Sequence, residues 1–182
     1  SIEDAVYEVM VWVMLLPKTL FRSMFRPRWA IQYVDEELSK PPEDRFDEFL
    51  SPVLLWLIAA VLPLTISTLL KDGSIQTIPE LINALRDGLL SQALYATLIP
   101  FTYIVWMAWM STQPVKRSSL RVSFYKHCYA LAPAQFFYGL FAILSLWSNL
   151  FLLLLPFSTV LLVIYESFVF QAEMKTSYGK AF

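Results

Sequence analysis

The chain has 182 residues, 57% of them hydrophobic and 16% aromatic, with only 16% charged, against about 25% in an ordinary soluble domain. A net charge of −1 supplies no global field for nucleic acid. The single cysteine, Cys128, excludes an internal disulfide.

Glu3, Asp4 and Glu8 precede the first apolar run, where a secretory signal peptide would carry basic residues. Such a leader is not expected. Val9 to Leu16 is uninterrupted but too short to cross a bilayer alone. After Pro17-Lys18, the basic residues Arg22, Arg26 and Arg28 interleave with Leu20, Phe21, Met24, Phe25 and Trp29. That alternation predicts an in-plane interfacial helix, or else a helix packed on the membrane domain.

The polar stretch follows. Asp35-Glu36-Glu37 leads to Lys40-Pro41-Pro42 and an acidic string ending at Phe49. The double proline breaks any helix, and the acids after it suit the positive end of a short new one. Consecutive carboxylates can bind a metal, but neither His nor Cys accompanies them. A solvated charge run is the expectation.

Ser51-Pro52 has the form of an N-cap followed by proline in the first turn, opening a span over 52–70. Lys71-Asp72-Gly73 ends it. Thr77-Ile78-Pro79-Glu80 matches a capping box, and Ile78, Leu81, Ile82 and Leu85 place apolar groups on one face of a surface helix. A second span is predicted over 89–110, with Tyr103, Trp106 and Trp109 at its aromatic-belt end. Residues 111–126 read as a loop carrying Lys116, Arg117, Arg121 and Lys126 without an acid.

Between Cys128 and Tyr165 no side chain is charged. The stretch is about twice the 20 residues one helix needs, so it predicts two spans, 127–147 and 150–170, joined near Trp147-Ser148-Asn149. The continuous run Leu150–Leu155 lacks the alternation of a barrel strand. The fold expected is all-α: a polytopic helical membrane protein with four transmembrane helices and an N-terminal interfacial helix segment. Residues 1–50 form the interfacial and cytoplasmic segment, 51–170 the transmembrane domain and 171–182 a cytoplasmic tail.

Basic residues concentrate before the first span, in 111–126 and in the tail, which places both termini in the cytoplasm. Each span holds one proline (Pro63, Pro100, Pro133, Pro156), and Gly139 is the only glycine within the spans. Kinked helices can build transport sites, but proline is ordinary in membrane helices. With Gly139 as the one glycine there, close small-residue packing is not expected.

Three motifs carry a resemblance: Phe21-Arg-Ser-Met-Phe-Arg-Pro-Arg28, Phe46-Asp-Glu-Phe-Leu-Ser-Pro52 and Tyr129-Ala-Leu-Ala-Pro133. In this order the chain resembles bacterial relatives of the Yip1-type membrane proteins over roughly Pro27 to Phe170. The resemblance implies a membrane scaffold or organiser in the bacterial inner membrane, and no catalytic residue.

No catalytic motif, cofactor signature or metal-ligand spacing is present in the sequence. The reading favoured is a non-catalytic integral membrane scaffold or accessory subunit of a membrane complex. The alternative is an oligomeric channel, transporter or pore-type effector lined by hydroxyls such as Thr65, Thr102, Ser145 and Ser158. Expected partners are membrane lipids, further copies or a larger membrane complex, and a cytoplasmic protein, but no nucleic acid. Arg22, Arg26, Arg28, Lys116, Arg117 and Arg121 are the candidate contacts to lipid headgroups or to a partner. Glu166, the one acid inside the predicted spans, falls near the depth of Lys126 and His127 when counted from the hairpin turn at the helical rise. An ion pair across the hairpin, from Glu166 to Lys126 or His127, is expected to hold its cytoplasmic end.

Overall fold

A computed structural model of the chain describes residues 2–72 and 116–178, and between them only 79, 83, 86, 94, 97, 98, 100–106, 108 and 109. The described residues are all-helical, without a strand. In chain order they form α1 (Ile2–Phe25), α2 (Pro27–Ser39), a 3-10 turn at Pro42–Asp44 and α3 (Pro52–Asp72). Then come α4 (Arg117–Leu144), a second 3-10 turn at Asn149–Leu154, and α5 (Leu155–Tyr178).

Helix α4 is the axis. It packs on α3 along one side and on α5 along another, while α2 and the second half of α1 lie across its Arg117 end. Two helical stretches are long and apolar enough to cross a membrane: Arg117–Leu144, with mean hydropathy 1.3, and Asn149–Glu173, with 2.0. The apolar part of α3, Pro52–Ser67, is shorter. The span expected over 89–110 lies largely outside the described residues; those described from 94 to 109 are helical. The surface helix expected after Thr77 also lies mostly outside them.

Two local expectations change. Residues 117–126 are helix, not loop. The Lys116 N–H donates to Ser119 Oγ, whose hydroxyl donates back to the Lys116 carbonyl, so the first turn is closed locally. With no proline or glycine between Arg117 and Ala132, nothing stops the helix before the apolar run. Helix α1 runs through Pro17 without ending. Pro156, finally, stands in the first turn of α5 and not in mid-span, where its missing N–H removes no helical bond.

Gly139 nevertheless packs directly against α3. A Cβ built there would collide with the Pro63 ring of α3. The absence of a side chain lets the two backbones approach, the use small residues have between membrane helices. The main core sits nearer the Arg117 end, where Leu20, Val34, Phe49, Leu55, Trp56, Tyr129 and Leu131 are buried together.

Candidate functional site

Polar side chains gather in two layers at the end of the hairpin where α4 begins and α5 finishes. The inner layer lies between α4 and α5. Ser123 and His127, one turn apart on α4, face Glu173 and Glu166, two turns apart on α5. His127 is 0% exposed and Glu166 2%, with His127 Nδ1 2.7 Å from Glu166 Oε2. Ser123 Oγ donates to Glu173 Oε2 at 3.2 Å. Tyr103 stacks on the imidazole (5.6 Å between centroids, 18° between planes) and Phe170 meets it edge-on.

A carboxylate in such apolar company costs free energy unless it is compensated. Imidazolium with carboxylate, or imidazole with carboxylic acid, carries no net charge as a pair, which is what a buried site tolerates. Glu166 Oε1 is buried and has no hydrogen-bond partner among the described residues.

Lys126 points elsewhere. Its ammonium lies 2.8 Å from Asp35 Oδ1 on α2, so of the two bases adjacent in sequence one faces α5 and the other α2. This is the divergence that successive helical positions impose.

The outer layer is the cap made by α1, α2 and residues 40–51. Its hub is Glu37, a buried member of the acidic run that was expected to be solvated. Glu37 Oε2 accepts the Phe46 N–H at 2.6 Å, and Oε1 accepts from Lys40 Nζ. Burial alone would raise this carboxyl, but the bonds from Lys40 and Phe46 outweigh it and hold the group below its ordinary value. Phe46 itself has φ of +61°, an uncommon conformation for a bulky residue. The Glu37 bond fixes it there. Asp35 and Glu36, by contrast, are exposed.

Around this hub Trp29, Tyr33, Phe49 and Tyr129 form one aromatic cluster, with ring centroids 4.8 to 6.4 Å apart. The Tyr129 hydroxyl donates to the Leu50 carbonyl at 2.5 Å, and the Leu50 N–H donates to Thr19 Oγ1. Both peptide groups of a buried chain turn are thereby satisfied. Tyr165 ties α5 to the same cap by donating to the Met24 carbonyl at 2.8 Å. The motifs Phe46–Pro52 and Tyr129–Pro133, far apart in sequence, therefore meet.

The six candidate surface cations fall into two groups. Arg22 lies over Trp29 and Phe49 (4.6 and 5.1 Å), while Arg26 and Arg28 are exposed at the corner between α1 and α2. Lys116, Arg117 and Arg121 are exposed on the first turns of α4, with Arg121 bonded to Tyr125 Oη at 3.3 Å. Among the polar positions within the predicted spans, Ser145 and Ser158 return their hydroxyls to carbonyls of Ala142 and Leu155, a common outlet for a helix hydroxyl. Thr65 Oγ1 is buried without a partner among the described residues. The same residues contain no group of three His, Cys, Asp or Glu placed to hold a metal.

Sequence reasoning missed Glu37 and the Lys126–Asp35 pair. The only signal available was the acidic run itself, and nothing in it distinguishes the buried position from its exposed neighbours. Comparison of the chain with family models, curated proteins and solved structures gives no match.

Proposed function

We propose that the chain is a non-catalytic integral membrane scaffold, an accessory subunit of a membrane complex with four spans and both termini cytoplasmic. The bacterial inner membrane and a Yip1-type relationship belong to this reading, which rests for them on the three sequence motifs. The observation that supports it most is the contrast built into α5. From Leu150, in the 3-10 turn that leads into it, to Ile164 the large apolar side chains are mostly exposed, whereas Tyr165 and Phe168 contact Met24 and Arg28 of the folded cap. The exposed apolar wall suits lipid or a membrane partner, and the cap's outward acids, Glu36, Glu43, Asp44, Asp47 and Glu48, offer a charged face to a soluble protein.

Affinity purification in mild detergent, with the mass read by size exclusion and ion flux measured in liposomes, tests the reading. A stable complex with other chains and no flux is expected. Flux from the chain alone would favour the pore alternative. Cysteines introduced at positions 114 and 75 are expected to be labelled from inside and outside respectively; the reverse would overturn the orientation.

A further inference from the structure

The corner between α1 and α2 is a single residue, Arg26, with φ −135° and ψ 66°. Two open hollows of about 240 and 460 Å³ adjoin there, sharing Arg28, Gln32 and Phe168. Phe25 and Trp29 wall one, and Gln171 closes the other. No carboxylate lines either hollow. The Arg28 guanidinium lies over the Phe168 ring, 5.7 Å from its centroid, an arrangement that orients the planar group and leaves its N–H edge available. Neither Arg26 nor Arg28 makes a side-chain hydrogen bond or ion pair among the described residues.

The depth of the hollows matters as much as their charge. Phe168 and Gln171 belong to the last turns of the apolar stretch Asn149–Glu173. On α5, Leu161, Ile164, Phe168 and Gln171 follow at helical spacing on one stripe, apolar until it reaches the arginines. Phe21 and Phe25, exposed and stacked at 6.4 Å, flank the corner as amphipathic-interface aromatics do.

Resting on the membrane reading above, we infer that this corner is a binding site for one anionic phospholipid. Its phosphate sits between Arg26 and Arg28, with Gln32 and Gln171 as neutral donors, and an acyl chain lies along the Leu161–Ile164–Phe168 stripe. The basic start of α4 is the internal comparison. Lys116, Arg117 and Arg121 are equally cationic, but they line neither hollow.

The full-length protein in nanodiscs of phosphatidylcholine, with and without phosphatidylglycerol, provides the test, retained lipid being counted by native mass spectrometry after detergent extraction. Wild type is expected to retain phosphatidylglycerol over phosphatidylcholine. The exposed pair Arg26→Gln/Arg28→Gln should lower that preference roughly 10- to 30-fold, at the usual weight of a basic residue near an anionic surface. Arg117→Gln/Arg121→Gln should leave it within about twofold. Equal losses in both double variants would replace the site with diffuse surface charge. Displacement of the lipid by inorganic phosphate at matched concentration would make it a small-anion site. Insertion into nanodiscs without lipid preference would overturn the site and leave the membrane reading standing, whereas failure to insert would overturn both.

Discussion

The cap and the far end of the hairpin are built on different principles. In the cap, side chains bond the backbone of distant segments: Tyr129 to Leu50, Leu50 to Thr19, Phe46 to Glu37, Tyr165 to Met24. Toward the hairpin turn the side-chain hydroxyls return to their own helices, as at Ser145 and Ser158, and Leu150, Leu153, Phe157 and Val160 face outward. What joins α3 to α4 there is backbone proximity, Gly139 against Pro63. Surroundings of lipid tails would explain the difference, because helices in them gain little from hydrophobic burial and associate through close packing. The cap, where polar groups can be solvated or paired, gains specificity from directional bonds.

The sharpest way to break this comparison is at the boundary, where a directional bond is buried among apolar groups. His127→Leu strands the Glu166 carboxyl and should cost about 3–5 kcal/mol, read as thermal unfolding in detergent. The double variant His127→Leu/Glu166→Leu should recover most of that loss, since a hydrophobic pair can replace a buried ionic one. A double variant no more stable than the single one would show that the pair supports more than itself.

Next comes the packing end. Gly139→Ala forces a methyl into the Pro63 ring and should destabilise by about 1–3 kcal/mol. Leu153→Ala, on the exposed wall, should stay within about 0.5 kcal/mol. Equal effects from the two would deny Gly139 its role. Within the cap, Tyr129→Phe leaves the buried Leu50 carbonyl without its donor, and about 1–2 kcal/mol is expected from the same measurement.

The smallest effect is the one that pH reveals. The Glu37 carboxyl is held below its ordinary value of 4.5, so the folded state prefers it ionised. Its contribution is complete above 4.5 and is lost as pH falls through the lowered folded value. Trp29 fluorescence, followed in acid titrations, should show the cap loosening in that window, and Glu37→Gln should flatten the dependence. An unchanged acid profile in Glu37→Gln would assign the acid sensitivity to other carboxyls.

Much of the helical class was legible without coordinates. In a bilayer a long uncharged stretch leaves backbone groups no partner but their own helix, and counting residues from the hairpin turn put Glu166 near Lys126 and His127 in depth, without choosing between them. The basic segment 117–126 was misread because charge suggested a loop, although none of its residues forbids helix. Glu37 stayed hidden because its neighbours Asp35 and Glu36 have the same chemistry and differ only in the face they occupy.

What the sequence determined by itself is therefore one-dimensional: which stretches are apolar enough to be helices, where prolines and polar residues interrupt them, and how far along an arm each charge lies. Tertiary structure decided direction. It sent His127 toward α5 and Lys126 toward α2, buried Glu37 under Phe46, and brought Gly139 onto Pro63. Adjacent helical residues diverge by about 100° around the axis, so the partner each one meets depends on which helices surround it. That arrangement is set by the packing of the whole bundle, and no local stretch of sequence encodes it.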